Sequence, residues 1–374
     1  MSKAHSFLEQ RLKERSEKGL WRSLKHENSL VDFSSNDYLG FAHSAALHQY
    51  INTETKRIAP GLNGSGGSRL LSGNYAYTEA TESWIASFHQ AEAGLIFNSG
   101  YDANIGLLSA IPQRGDTVIT DELIHASLID GSRLSLANRF KFRHNNINEL
   151  EQKLKQATGN VYVVVESIYS MDGDRAPLKD ISELCQKYGA NLIVDEAHAT
   201  GIFGPSGEGL VVQLGLQNAV FARIVTFGKA IGMHGAIILG SEVLRNYLIN
   251  FARSFIYTTA MPLHNIIGIR CAYEWLTKEK YTQQIHQAIE LYNLLISKLN
   301  IKNIQSTSAI QTLLFNNNSE ARNATLQLQE KGFDVRPILS PTVPAGQERL
   351  RICLHTYNTE AEITALVQQL KELI

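Results

Sequence analysis

Short apolar segments recur through the first two thirds of this 374-residue chain, separated by longer segments with helical periodicity. Several of them are apolar on both faces, which is typical of strands buried on both sides in a parallel sheet covered by helices. The sequence therefore predicts an α/β fold with a mostly parallel central sheet. The strand candidates are residues 94–97, 116–119, 161–165, 191–194 and 235–239.

The two ends of the chain depart from this pattern and predict two further parts. Residues 1–45 combine a short amphipathic helix with extended and turn-rich segments, and predict an N-terminal arm. Residues 46–263 carry the α/β pattern, and residues 264–374 predict a smaller α+β domain. The elements predicted for this last part are a long helix over 272–299, strands over 312–315 and 350–354, and a closing helix over 360–374.

Composition and charge argue against several classes of partner. The formal net charge of -1 supplies no electrostatic reason to bind nucleic acid or an anionic membrane. No segment approaches the run of about 20 apolar residues that spans a bilayer, and the N-terminal residues contain no apolar signal-peptide segment. Cys185, Cys271 and Cys353 are widely spaced, which predicts neither a disulfide framework nor a zinc cluster. We therefore expect a cytoplasmic protein that acts on small molecules.

One lysine and one strand-end aspartate carry the strongest chemical signal in the sequence. Lys229 lies among glycine and alanine residues, where tight packing favours the neutral amine, although a lysine taken alone is more often a solvated surface group. Asp195 ends the apolar run 191–194, and His198 follows in the same strand-end loop. An amine that can form a Schiff base, with a carboxylate that can hold a ring nitrogen protonated, is what pyridoxal phosphate (PLP) chemistry requires.

Other polar residues follow strands or lie in turns, where ligands collect in open α/β sheets. The turn 98–101 precedes a helix whose N–H groups could bind a phosphate, and Glu166 ends the run 161–165. The glycine-rich segment 61–73 predicts either a flexible surface loop or a polar loop lying against an anionic ligand. Arg351 interrupts an apolar strand, so we expect it to have a carboxylate or phosphate partner, inside the chain or outside it.

Two other interpretations of these motifs were weighed. Residues 195–198 spell Asp-Glu-Ala-His, the acidic box of some nucleic-acid-dependent ATPases, but no phosphate loop of the form G-x-x-x-x-G-K-[ST] accompanies it. Asp172 and Asp174 would suit a weak cation site, but nothing completes a calcium loop. We therefore interpret residues 170–174 as a turn and predict no metal.

Eight short motifs follow one another over nearly the whole chain: N-D-Y-L-G (36–40), G-S-G-G-S-R (64–69), S-G-Y (99–101), H-A-S (125–127), S-M-D-G-D (170–174), D-E-A-H (195–198), T-F-G-K (226–229) and R-L-R-I (349–352). Together they closely resemble the α-oxoamine synthase family. The resemblance implies a PLP-dependent acyltransferase with the aspartate-aminotransferase fold, usually a homodimer with active sites at the subunit interface. A PLP-binding or regulatory protein that has lost catalysis is disfavoured, because the lysine, the aspartate and both histidines are present.

The resemblance also implies a role for each motif residue. Lys229 would form the Schiff base, Asp195 would pair with the pyridinium nitrogen, His198 would bind the ring hydroxyl oxygen, and His125 would stack on the ring. Ser170 would lie near the ring hydroxyl. The residues implied at the phosphate end are Ser99, Gly100, Tyr101 and Thr226, together with Thr258 from the neighbouring subunit.

The same resemblance implies which residues face the substrates. Asn36 and Arg351 would face the amino acid, with the arginine holding its carboxylate. Ser68 would leave room for the methyl group of alanine, whereas a threonine there would have favoured glycine. Arg22 is a candidate partner for the far carboxylate of a pimeloyl chain. The expected reaction is the decarboxylative condensation of L-alanine with a pimeloyl thioester of CoA or a carrier protein; glycine or serine with another acyl-CoA is the alternative.

Overall fold

The structure, a computed structural model, describes residues 2–24, 26, 29–299 and 301–373. The chain forms two compact units, residues 1–30 and residues 31–374. The first unit carries α1 (Lys3–Glu17). Leu8 and Leu12, the apolar residues of the predicted amphipathic helix, are both exposed.

The second unit carries the strands and the remaining helices of the described chain. Its strands are β1 (Val31–Asp32), β2 (Ala93–Phe97), β3 (Thr117–Asp121), β4 (Asn138–Phe142), β5 (Val161–Glu166), β6 (Asn191–Asp195), β7 (Ala222–Thr226), β8 (Ala236–Gly240), β9 (Ile310–Phe315), β10 (Phe333–Asp334), β11 (Arg336–Ile338) and β12 (Glu348–Cys353). Its helices are a 3-10 turn (Phe41–His43), α2 (Ala45–Ile58), α3 (Ala76–Phe88), α4 (Gly100–Ala110), α5 (Ala126–Leu134), α6 (Ile147–Gln156), α7 (Leu178–Tyr188), α8 (Leu210–Gln213), α9 (Glu242–Phe251), α10 (Arg253–Ile256), α11 (Leu263–Leu276), α12 (Tyr281–Ile296), α13 (Asn318–Glu330) and α14 (Glu360–Glu372).

The central sheet is mostly parallel, as the sequence predicts. In the part of the chain that the structure describes it has seven strands, in the order β2-β8-β7-β6-β5-β3-β4. Strands β3 to β7 pair in parallel, and β8 is antiparallel to both of its neighbours. All five apolar runs lie in this sheet, and β2, β3 and β5 are buried along their whole length because both faces are covered.

Two strands of this sheet, β4 and β7, are not among the strands predicted from the apolar segments. β4 is an edge strand whose first four residues are exposed, and the charges of Arg139 and Lys141 suit that position. β7 is buried, but Arg223 interrupts its apolar run. The Arg223 side chain is buried inside the protein, where it donates a hydrogen bond to the carbonyl oxygen of His89. The buried Arg223 therefore explains why a search for apolar segments does not find β7.

The C-terminal part contains a three-stranded antiparallel sheet in the order β11-β12-β9, followed by α14. The predicted strands and closing helix are therefore present. The single long helix predicted over 272–299 is wrong, because α11 and α12 are separate helices. Helix α11 ends at Leu276, and it is separated from α12 by the exposed segment 277–280, in which no apolar side chain holds the chain against the core.

The pairing register of β5, β6 and β7 brings their carboxyl ends to one edge of the sheet. Glu166, the last residue of β5, pairs with Asp195, the last residue of β6, and Asp195 pairs with Ile224 of β7. Thr226 then ends β7, and the turn that follows carries Lys229. Three strands consequently deliver their terminal polar residues to the same place.

Gly173 makes a close backbone contact that ties the loop after β5 to the C-terminal part. Its φ is +77°, and a Cβ atom there would collide with the carbonyl oxygen of Ile310. The Gly173 carbonyl oxygen accepts hydrogen bonds from the hydroxyls of Ser306 and Ser308, at 2.8 and 2.9 Å. The loop cannot keep this position with a larger residue at 173.

We expect Gly173→Ala to destabilise the protein more than Gly189→Ala does. Gly189 has a φ of +65° with open space around its Cβ position, so its substitution carries only the left-handed backbone cost of about 1–2 kcal/mol. Gly173→Ala adds the collision with the Ile310 carbonyl oxygen to this backbone cost. We therefore expect its free energy of unfolding to be lower than that of Gly189→Ala by about 1 kcal/mol or more. Chemical denaturation of both variants measures the difference; equal free energies of unfolding would contradict this account of the loop.

Candidate active site

The carboxyl ends of β5, β6 and β7 open into a cleft with a cavity of about 200 Å³. The amino ends of α4 and α5 form its other walls. Most of the predicted catalytic and cofactor-binding residues meet here. The lining residues are Gly100, Tyr101, Asn104, His125, Ser127, Glu166, Asp195, Ala197, His198, Ile224, Thr226 and Lys229.

Lys229 projects into the cleft from the turn between β7 and β8. Gly232 closes this turn with a φ of +65°, and its Cβ position lies against the backbone of Phe41 and Ala42, so a larger residue would displace the turn. Burial lowers the pKa of Lys229 to about 8, although the charges of Asp195 and Glu166 oppose the shift. The neutral amine is therefore a minor species at pH 7 and becomes the major one above about pH 8.

His198 is buried beside this lysine. Its Nε2 lies 2.9 Å from Lys229 Nζ, and its Nδ1 lies 2.7 Å from the hydroxyl oxygen of Tyr38. Burial and the neighbouring positive charge of Lys229 hold the pKa of His198 well below its ordinary value. The imidazole is consequently neutral and acts through hydrogen bonds.

Asp195 is held in place by two donors. Its Oδ2 accepts from Asn104 Nδ2 at 2.9 Å, and its Oδ1 accepts from the backbone N–H of Ala197 at 2.9 Å. Asn104 also donates to the Ser127 hydroxyl at 2.9 Å, which links α4 to α5. We did not predict Asn104 from the sequence. It lies one turn after Gly100 on an otherwise apolar face of α4, and that pattern could have indicated it.

Glu166 is a second carboxyl group in the cleft, and only its strand-end position was noted in the sequence. Burial and the nearby charge of Asp195 raise its pKa to about 8, while backbone donors at His125 and Ser170 oppose the rise. Glu166 is therefore largely protonated at neutral pH and can donate a hydrogen bond from one oxygen. The two carboxyl groups lie side by side at adjacent strand ends, and this closeness is one reason why a negative charge on Glu166 is disfavoured.

His125 precedes α5 and forms part of the cleft wall. Its Nδ1 accepts from the backbone N–H of Ser127 at 3.2 Å and lies 2.7 Å from the Ser127 hydroxyl. Burial lowers the pKa of His125, and the charge of Asp195 opposes this. The ring is thus anchored at one nitrogen.

Arg351 is buried in β12 without an acidic partner in the described chain. Its guanidinium donates to the carbonyl oxygen of Ser170 at 2.7 Å, to Cys353 Sγ at 2.9 Å and to Asn36 Oδ1 at 3.0 Å. The carboxylate or phosphate partner that the sequence predicts for Arg351 is therefore not found among the described residues. A buried cation with neutral partners is costly, so this one is suited to an anion that arrives with a substrate.

The remaining predicted residues fall into two groups. Ser99 caps α4 by accepting from the backbone N–H of Asp102 at 3.0 Å, and the N–H groups of Gly100 and Tyr101, which have no acceptor within the helix, lie beside the cleft. Ser170 adjoins the cleft through the loop after β5.

By contrast, Thr258 contacts Asn98 Nδ2 at 3.0 Å, and neither Thr258 nor Ser68 lines the cleft of its own chain. Arg22 is exposed and belongs to the separate N-terminal unit.

The glycine-rich segment 61–73 is anchored at two points. The buried Ser65 hydroxyl donates to the carbonyl oxygen of Met261 at 2.9 Å, and Arg69 forms an ion pair with the buried Glu82. The aspartates of the turn 170–174 are also paired, since Asp172 bonds Arg349. Across the described residues no group of histidine, cysteine and acidic side chains could hold a metal ion, and no described helix has the length and apolar character needed to cross a membrane.

Comparison with known proteins places this architecture in a family. Residues 28–370 match the family model for aminotransferase class I and II. The chain belongs to this family. It is 45% identical over 365 residues to 8-amino-7-oxononanoate synthase of Emericella nidulans, covering 91% of this chain and 88% of the relative. It is 36% identical over 344 residues to the enzyme of the same name from Lysinibacillus sphaericus, covering 91% and 88%.

Solved structures agree with this assignment. The crystal structure of 8-amino-7-oxononanoate synthase from Francisella tularensis matches with a TM-score of 0.80 and 26% identity, over 92% of this chain and 98% of that one. Serine palmitoyltransferase from S. paucimobilis matches with a TM-score of 0.90 and 23% identity, over 100% and 98%, which shows the shared fold. The predicted α-oxoamine synthase family, its aspartate-aminotransferase type of fold and a PLP-dependent acyltransferase type of enzyme are confirmed.

One cluster next to the site holds the loop that carries Ser170. His144 bridges Asp121 and Asp174, with Nδ1 3.1 Å from Asp121 Oδ1 and Nε2 2.8 Å from Asp174 Oδ2. Although burial opposes the charge, the hydrogen bonds to both aspartates raise the pKa of His144 to about 9. A protonated histidine therefore joins the ends of two strands to the loop.

We expect His144→Gln to lower the free energy of unfolding by about 1–3 kcal/mol near pH 6.5, because it removes a charge-assisted bridge. The pKa of His144 is raised in the folded protein, so its stabilising effect is complete below the ordinary value of 6.5 and is lost as the pH rises through about 9. Denaturation of both proteins at pH values from about 6 to 10 should show the difference shrinking; a constant difference would contradict a charged His144.

Proposed function

We propose that the protein catalyses the decarboxylative condensation of L-alanine with a pimeloyl thioester, releasing CoA or the carrier protein and CO2 and forming 8-amino-7-oxononanoate. The observation that carries this proposal is the cleft in which Lys229, Asp195, His198 and His125 converge beside the buried Arg351. The names of the relatives at 45% and 36% identity support the choice of reaction. We further propose that it acts in the cytoplasm as a homodimer.

The residues of the cleft fit PLP. The amino end of α4, with the Ser99 cap, suits a phosphate group, and the anchored Asp195 suits a protonated ring nitrogen. His198 presents a neutral imidazole for a ring oxygen, and the His125 ring borders the space between them. Bound there through Lys229, PLP would supply the electron sink that stabilises negative charge at the substrate Cα.

Each side chain has a task in such a reaction. Arg351 binds and orients the carboxylate of the amino acid, because its own partners are neutral and it lies beside Asn36. Lys229, with a pKa of about 8, can remove the Cα proton as a general base and return a proton afterwards. The anchored carboxyl group of Asp195 would pair with the ring nitrogen, and Glu166, largely protonated, adds little negative charge at neutral pH.

A second cavity, of about 660 Å³, shares the wall residue His125 with the cleft and suits the acyl chain of the thioester. Its walls are largely apolar side chains from two parts of the fold. Its polar lining residues include Gln347 and the buried pair of Asp172 and Arg349. The apolar residues lining it include Leu123, Ile129, Met171, Ile304, Val343 and Pro344.

The positions of Thr258 and Ser68 support a homodimer with shared sites. Both residues lie outside the cleft of their own chain. If they contact PLP and the amino acid as the family resemblance implies, they must do so in the cleft of a second copy. Arg22 is kept as a candidate for the far carboxylate of the pimeloyl chain.

The experiment that tests the proposed function uses the purified protein with added PLP. The visible absorption of bound PLP is recorded before and after L-alanine and then pimeloyl-CoA, and the product is identified by mass. A spectral change with L-alanine followed by 8-amino-7-oxononanoate supports the proposal. Condensation only with glycine or serine and another acyl-CoA would replace the substrates, and PLP binding without any turnover would favour a regulatory protein.

We expect Lys229→Ala to keep the fold and to lower turnover by at least about 100-fold, because no other side chain in the turn supplies a base at that position. Lys187→Ala is the matched control, since Lys187 is an exposed lysine paired with Glu151. Steady-state rates with L-alanine and pimeloyl-CoA measure the effect, and circular dichroism checks the fold. Normal turnover in the Lys229 variant would overturn the mechanism.

We expect Val343→Phe to raise the KM for pimeloyl-CoA by about tenfold, which corresponds to about 1.4 kcal/mol, because it narrows the second cavity. The spectral affinity for L-alanine should not change, since that substrate lies at the cleft. Val243→Phe is the control, because Val243 is an exposed valine. An unchanged KM for the thioester, or a weaker affinity for L-alanine, would show that the acyl chain lies elsewhere.

A further inference from the structure

The hydroxyl of Tyr38 occupies a central position that none of the roles above uses. The side chain is fully buried. Its oxygen lies 2.7 Å from His198 Nδ1, 3.1 Å from Asn36 Oδ1 and 3.5 Å from Arg351 Nη2. Because His198 Nε2 lies 2.9 Å from Lys229 Nζ, one hydrogen-bonded series runs from Lys229 through His198 and Tyr38 to Asn36.

The protons in this series have two consistent arrangements. A neutral imidazole carries one N–H, on either ring nitrogen. When Lys229 is charged it donates to Nε2, so the imidazole proton is on Nδ1, which donates to Tyr38, and the phenol donates to Asn36. When Lys229 is neutral the proton can lie on Nε2, which donates to the lone pair of Lys229 Nζ, and the phenol donates to Nδ1.

A phenol satisfies both arrangements because its hydroxyl donates one hydrogen bond and accepts others. Arg351 can only donate, so it accepts no proton from Tyr38 and leaves the direction of the phenol bond free. The two acceptors of that proton, Nδ1 and Asn36 Oδ1, both lie within hydrogen-bonding distance. The direction is therefore decided at the other end of the series, by Lys229.

We propose that Tyr38 is a positioning residue that lets His198 exchange its two neutral tautomers as Lys229 loses or regains a proton. The exchange keeps every polar atom of the buried series bonded in both states. Its use in catalysis rests on the proposed function, in which Lys229 takes and returns the Cα proton. The exchange itself requires neither PLP nor substrate.

Replacing the phenol with a phenyl ring would remove one of the two arrangements. In Tyr38→Phe an N–H on Nδ1 would be buried without an acceptor, which is a rarer and costlier defect than an unpaired acceptor. His198 would then keep its proton on Nε2, and a charged Lys229 would lose its acceptor. The pKa of Lys229 should consequently fall further.

Other titratable or charged groups face this series and remain in the variant. Lys229 and His198 are influenced by groups on the strand ends, on α5 and on β12. A difference between the two proteins therefore reports on the Tyr38 hydroxyl. These groups are Asp195, Glu166, His125, Arg351 and Cys353.

The test is a 15N NMR titration of the PLP-free protein with labelled histidine, from about pH 6 to about pH 10. The His198 signals are assigned with a His198→Gln variant, and the ring 15N shifts report which nitrogen carries the proton. Tyr292→Phe is the control, because Tyr292 is a buried tyrosine in α12 that does not line the cleft.

We expect His198 in the unmodified protein and in Tyr292→Phe to change from Nδ1–H to Nε2–H as Lys229 titrates near pH 8. In Tyr38→Phe we expect Nε2–H throughout. One tautomer over the whole range in the unmodified protein would overturn the proposal even if Tyr38→Phe does not fold, and so would normal exchange in Tyr38→Phe. Exchange in a protein that forms no condensation product would leave this inference standing and remove the proposed function.

Discussion

The in-register pairing of β5, β6 and β7 is the constraint on which the site depends. Parallel strands in register present their last residues at one edge of the sheet, so Glu166 and Asp195 lie side by side and the turn after β7 brings Lys229 to the same edge. A slip by one residue would turn these side chains to the opposite face of the sheet. Both faces of these strands are packed, so a slip would also give every buried side chain along them the wrong neighbours.

The grouping of charges at this edge has an electrostatic consequence. Lys229, Asp195, Glu166 and Arg351 share a region from which most water is excluded, so each charge depends on its neighbours. Burial lowers the pKa of Lys229 and raises the pKa of Glu166, so that both pKa values are about 8. Groups that titrate near neutral pH can exchange protons at little cost, which suits a site for proton transfer at carbon.

Hydrogen bonds from supporting side chains hold these groups in place. Asn104 fixes Asp195 from α4, and the protonated His144 fixes the loop that carries Ser170, whose carbonyl oxygen in turn holds Arg351. Each support joins segments that are far apart in the chain. The site is therefore preorganised by buried polar bonds as well as by the sheet, which is how a fold keeps catalytic groups aligned.

Much of the fold and part of the site could be predicted. The five apolar runs are strands of the central sheet, and the resemblance of ordered motifs identified the family. The misses have physical causes. β4 is polar because it is an exposed edge, β7 is interrupted by the buried Arg223, and the predicted long helix is divided by an exposed charged turn. Asn104 was passed over, and Glu166 was noted only for its position at a strand end, because a single polar residue near an apolar run has many possible roles.

The sequence by itself determined the alternation of strands and helices, the family and the residue types that can perform its chemistry, because these depend on local pattern and side-chain identity. Only the tertiary structure decided how those residues are charged and to whom they are bonded. The partners of Arg351, the protonation of Glu166 and the bond between His198 and Tyr38 depend on burial and on distances between segments far apart in the chain. Such quantities arise when the chain packs, because desolvation and proximity exist only in the folded state.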